Sequence, residues 1–125
     1  MPGRIWNPGV KKVLRGEIWW VELDPHRGSE MYKTRPALII NVDGIGKLPL
    51  RVVVPLTDWN DSYYQYVWMV FIANDTENGL DKIVAADCMN VRSVATERLK
   101  SKIGEVRPEI LEDVLAAISL VIGIP

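Results

Sequence analysis

Between Arg15 and Asp24 the chain reads RGEIWWVELD, with Glu17, Trp19, Val21 and Leu23 on one parity and Ile18, Trp20 and Glu22 on the other. Aromatic and β-branched residues arranged in this way predict a strand in preference to a helix. Pro36–Val42 (PALIINV) and Leu50–Thr57 (LRVVVPLT) are apolar on both parities, as expected of strands covered on each face, and Pro55 marks an edge or bulge in the second. Tyr64–Ala73 supplies a fourth strand and Lys82–Val94 a fifth. The intervening VDGIGKLP and NDTENG are turn sequences, so the pattern predicts a β-meander with short links. After Pro108 the period changes. Ile110, Leu111, Val114, Leu115, Ile118 and Val121 recur at helical spacing, with Glu109, Glu112 and Asp113 opposite them, and proline suits the first helical position. The expected fold is mainly β with a C-terminal α-helix: a small curled antiparallel sheet, or barrel, closed by that helix.

Composition narrows the class. The 125 residues fit one domain, expected over 15–125, preceded by an irregular arm over 1–14 that holds Pro2, Gly3, Pro8 and Gly9. Trp6 lies in that arm and carries no reading of its own. No apolar run approaches a membrane span and no signal-peptide pattern opens the chain, so a cytoplasmic protein with no membrane partner is expected. The single cysteine, Cys88, has no partner for an internal disulfide or a metal site, and neither metal nor cofactor is expected. Fifteen Lys and Arg against sixteen Asp and Glu give a net charge of −1, so any nucleic acid must be held by a local patch.

Arg35 stands directly before Pro36, where a flexible polar loop, GSEMYKT, turns into a strand. The following proline biases Arg35 to extended backbone, which holds its guanidinium at the loop–strand junction. A planar, permanently charged fork suits phosphate oxygens; pairing with Glu30 or Asp24 is the plainer alternative. Thr57 ends the third apolar run, where its hydroxyl is free either to meet a phosphate or to cap the TDW turn. His26, the only histidine, and the carboxylates Glu30 and Asp58 are the candidate acid/base groups. Arg27, Lys33 and Arg51 are candidates for a phosphate-tracking patch, or simply solubilising. Trp59 is a candidate to stack on an unpaired base, whereas Trp19 and Trp20 read as core. Along the fifth strand, Asp87 and Met89 share one face and Cys88, Asn90 and Arg92 the other.

RGEIWWVELDPHRGSEMYKTRPALII, LPLRVVVPLTDW and NVRSVATERL, followed by a terminal helix, resemble the MazF/PemK family of toxins from bacterial toxin–antitoxin pairs. The resemblance covers almost everything from Arg15 onward. It implies an SH3-like barrel, a homodimer, and a metal-independent endoribonuclease that cuts single-stranded RNA at short sequences, neutralised by an antitoxin over its RNA groove. By that resemblance Arg35 and Thr57 are the catalytic pair, and Asn90 and Arg92 match an amide-then-basic pair used near RNA. Some members carry an acidic residue where this chain has Met89. The terminal helix stripe and the doubly apolar strands also offer more apolar surface than one small barrel covers, which independently favours a twofold dimer. Two other readings keep the fold: a gyrase-poisoning toxin without catalysis, and a plain SH3-like binding module.

Overall fold

The alternation at Glu17–Glu22 does form a strand, β1, and the two doubly apolar runs form β2 (Thr34–Ile39) and β3 (Leu50–Asp58). The computed structural model describes residues 12–25 and 27–125; the readings made for residues 1–11 and for His26 lie outside the described residues. Beyond β3 come β4 (Met69–Ile72), β5 (Val84–Asp87), β6 (Arg92–Ala95), β7 (Leu99–Glu105) and the helix α1 (Pro108–Ile122).

These strands do not run as a meander. All pair antiparallel, in the order β4-β5-β3-β2-β1-β7, with β6 also on β3. The nine-residue β3 makes this possible: its first half pairs with β6 and its second half with β5. The order does not return on itself, so the strands curl without closing into a complete barrel. The expected fourth strand begins late because Asp61–Gln65 forms a 3₁₀ turn, entered through Asn60, whose side chain accepts the Ser62 N–H at 2.9 Å. The expected fifth strand is broken at Cys88–Asn90 by another 3₁₀ turn, where the Asp87 carboxylate accepts the Met89 N–H at 3.2 Å. A carboxylate one residue before a turn offers the backbone this alternative to a ladder bond.

Strand alternation sorts the core into two layers. Ile18, Leu38, Val54, Leu56, Ile72, Val84 and Ala86 face α1, whose Val114 and Ala117 are buried among them. Trp19, Val21, Ala37, Ile39, Val53, Val94 and Leu99 form a second cluster on the other side of the sheet. Removing a fully buried side chain such as Leu38 in favour of alanine should cost about 2–5 kcal/mol. Val13, at 4% exposure, belongs to the second cluster, so the expected arm joins the core at its last residues. α1 starts on Pro108 and ends at Gly123, whose left-handed φ of 76° closes the helix.

Between β4 and β5 the chain is strapped onto β7. Asn78, 2% exposed, accepts N–H groups from Asp75 and Leu80 and donates to the Ala73 carbonyl. Backbones meet closely there: a Cβ on Gly79 would lie 2.3 Å from the Ile103 carbonyl oxygen, and one on Gly104 would lie 2.4 Å from that of Asn78.

Candidate active site

The β2–β3 ladder ends with Ala37 opposite Pro55; its register, continued by two residues, sets Arg35 level with Thr57, and both residues line one cleft. Residues opposed across antiparallel strands leave the same face of the sheet. Arg35 and Thr57 therefore stand side by side at one end of the strand pair, each half-buried.

Arg35 Nε donates to the Tyr32 carbonyl at 2.9 Å, which fixes the guanidinium at its base. No carboxylate among the described residues pairs with it. Glu30 pairs instead with Arg92, at 3.9 Å, and Asp24 Oδ1 accepts the Lys33 N–H at 3.0 Å. The capping role open to Thr57 is taken by Asn60. The outer guanidinium nitrogens of Arg35 and the hydroxyl of Thr57 thus make no hydrogen bond among the described residues.

The row continues across the sheet. Thr57 pairs with Ala85 on β5, and Ala85 with Phe71 on β4. At these strand ends opens a cleft of about 510 Å³, lined by Arg35 and Thr57 themselves together with Trp20, Leu56 and Ile103 and with the charged Lys33, Asp58 and Lys82. Asp58 and Lys82 pair there at 2.8 Å, and the hydrogen bond to Asp58 raises the lysine pKa. The burial that would suit Asp58 to general-base work is absent, since its side chain is three-quarters exposed. Glu30 is also exposed and lies outside the cleft.

The loop leading into β2 is held from across the sheet. Asn90 Oδ1 accepts the Met31 N–H at 3.0 Å, Arg92 donates to the Met31 carbonyl, and Arg98 donates to the carbonyls of Glu22 and Asp24. Asp87, 8% exposed, orients the Asn90 amide at 2.8 Å. The 3₁₀ turn brings Asn90 to Asp87 and leaves Met89 exposed, so the expected face-sharing of Asp87 with Met89, and of Cys88 with Asn90 and Arg92, is lost. Asn90 and Arg92 position the loop that carries Arg27, Glu30 and Lys33. Arg51 is elsewhere: it is buried at the start of β3 and donates to the Leu48 and Leu50 carbonyls, which removes it from any phosphate patch. Trp59 packs edge-on against Tyr63, Tyr64 and Phe71, and Trp20 is 41% exposed and not core as expected. Lys82, Tyr64 and Phe71 were not singled out from the sequence, because only the β3–β5–β4 pairing carries them to the site.

The model of the PemK-like, MazF-like toxins of type II toxin–antitoxin systems matches residues 14–122, and the chain belongs to that family. Endoribonuclease MazF9 of Mycobacterium tuberculosis (strain ATCC 25618 / H37Rv) is 36% identical over 114 residues, covering 86% of this chain and 94% of that protein. Among solved structures, MazF from Deinococcus radiodurans superposes with a TM-score of 0.75 at 21% identity, over 90% of this chain and 97% of that one. An endoribonuclease in complex with its cognate antitoxin, from a mycobacterial species, gives 0.71 at 21% identity, over 91% and 98%.

Proposed function

We propose that this toxin is an endoribonuclease that cleaves single-stranded RNA by attack of the ribose 2′-hydroxyl on the adjacent phosphorus. The observation that carries the reading is the level placement of Arg35 and Thr57 at the β2–β3 strand ends, with the outer guanidinium nitrogens and the hydroxyl uncommitted among the described residues. As the phosphorane forms, negative charge grows on its equatorial oxygens. Arg35 meets two of them with parallel N–H bonds, and Thr57 donates to an oxygen or orients the nucleophile. Neither role uses a metal. The new P–O bond to O2′ forms as the 2′-hydroxyl gives up its proton, and the P–O5′ bond breaks as O5′ takes one up, so the products are a 2′,3′-cyclic phosphate and a 5′-hydroxyl.

Lys33 and Arg27, on the loop held by Asn90 and Arg92, track neighbouring phosphates. The toxin works in the cytoplasm as a twofold homodimer, and an acidic antitoxin segment folds across the Arg35 face to block RNA. Support comes from the family membership and from relatives named as endoribonucleases. A defined single-stranded RNA incubated with pure protein and excess chelator tests the reading. Cleavage leaving 5′-hydroxyl ends is expected. Intact RNA, or ends carrying a 5′-phosphate, would overturn it, and inhibition of a topoisomerase in the same preparation would favour the non-catalytic reading.

A further inference from the structure

Six of the ten aromatic residues in the chain fall between Trp59 and Phe71, immediately after Thr57, and four of them make one surface cluster. Trp59 is its hub, with ring centroids 5.7 Å from Tyr63, 4.7 Å from Tyr64 and 5.0 Å from Phe71, all edge-on. Tyr64 is 73% exposed and Phe71 38%, so the cluster offers ring surface to solvent and is not sealed into the core. Its neighbours Tyr66 and Trp68 instead stack on each other, and Trp68 packs against the helix-side core.

The cluster's position gives it meaning. Phe71 is opposite Ala85, Ala85 is opposite Thr57, and Thr57 is level with Arg35, so the four lie in one row and leave the same face of the sheet. Two strand spacings, roughly 10 Å, separate Phe71 from Thr57, with the fully buried Ala85 between them. Trp59 shares the parity of Thr57. Arg35 and Thr57 also line the cleft bordered by Trp20 and Leu56, whereas Trp59, Tyr64 and Phe71 are not part of its lining. Of the carboxylates beside the rings, Asp58 is paired with the Lys82 ammonium, while Asp61 accepts the Trp59 Nε1–H at 3.0 Å and keeps its charge.

We infer that the Trp59–Tyr64–Phe71 surface is a stacking platform for an unpaired base of the RNA strand that crosses Arg35 and Thr57, one nucleotide or a few away from the scissile phosphate. This rests on the ribonuclease reading above. Aromatic faces accept any base, and each base stacked on one contributes roughly 1–3 kcal/mol. The platform accordingly sets affinity and register, while the strand-end pair sets the rate.

Binding is measured by fluorescence anisotropy with a labelled 2′-O-methyl oligonucleotide, which cannot be cleaved and so reports on the platform whether or not the protein is a nuclease. Tyr64→Ala, at an exposed position, and Trp59→Leu should each weaken binding by about 5-fold or more, and Tyr64→Phe should restore it. An abasic residue moved along the oligonucleotide should cost the wild type a similar factor at one position and cost Tyr64→Ala nothing further there. On cleavable RNA, Tyr64→Ala should raise KM and leave kcat near the wild-type value. Wild-type binding by both variants, with circular dichroism showing them folded, would overturn the inference. So would a loss confined to antitoxin affinity. Absence of cleavage alongside base-dependent binding would instead sink the ribonuclease reading and leave the platform standing.

Discussion

Asn90 receives the backbone N–H of Met31 at 3.0 Å, joining the turn between β5 and β6 to a loop 59 residues away in the chain. With the Arg92 contact to the Met31 carbonyl and the Asp87 bond that orients the amide, it fixes the loop from which Arg35 emerges. Asn90→Ala should therefore accelerate proteolytic nicking within residues 27–33 and lower the cleavage rate. The whole protein should lose only about 1–3 kcal/mol of stability, as for the two hydrogen bonds that the Asn90 amide makes. Limited proteolysis beside a thermal melt reads both. Equal nicking of variant and wild type would show that the loop is held by other means.

Arg35→Ala should reduce kcat by about 10²- to 10³-fold with little change in RNA affinity, the loss typical of one transition-state donor. Arg35→Lys should recover little, because an ammonium keeps the charge and loses the planar fork. Thr57→Ala should behave like Arg35→Ala. Single-turnover kinetics on folded variants measures this, and a folded Arg35→Ala cutting at the wild-type rate would remove the assignment.

Leu120, Ile122 and Ile124 remain exposed at the end of the chain, as do Val42 and Leu48 before β3. A second copy related by a twofold axis is the simplest cover for such surface. Sedimentation at micromolar concentration should give twice the chain mass, and a monomer would count against the dimer.

Cys88 is buried and its thiol pKa is raised to about 12, first by burial and then by the Asp87 charge. The folded state thus disfavours the thiolate while the unfolded chain ionises near 9. This contribution to stability is complete below that value and is lost as pH climbs through the folded-state value. Denaturant midpoints should fall between about pH 9 and 12, less so in Cys88→Ala once its own cavity cost is subtracted, and native protein at neutral pH should resist thiol reagents. Rapid labelling without unfolding would contradict the burial.

What the sequence made legible was local. The parity of Glu17 through Leu23 specifies β1, and the helical stripe from Ile110 specifies α1, because both patterns report directly on the face that is covered. β7 was not legible: LKSKIGE buries only Leu99 and leaves much of the rest exposed, so a strand at the rim carries no alternation to read. The turn at Cys88–Asn90 was hidden because its alternation mimics a strand, and a side-chain bond from Asp87 decides otherwise. Arg35 and Thr57 were each suspect as residues, but their alignment is a property of the β2–β3 register. The link from Thr57 to Phe71 passes through a strand that lies later in the chain than both, which no spacing rule expresses.

The close meeting of Gly79 with Ile103 and of Gly104 with Asn78 matters for any genetic selection on a toxin. Colonies that survive expression of a mutagenised gene carry whatever abolishes killing, and the two glycines offer that route as readily as the strand-end pair. A side chain at either position drives backbone into backbone and separates the strap from β7. Survivors would therefore fall into two groups that sequence counts alone would merge: those altered at Arg35 or Thr57, which accumulate as folded, soluble protein, and those altered at Gly79 or Gly104, which do not.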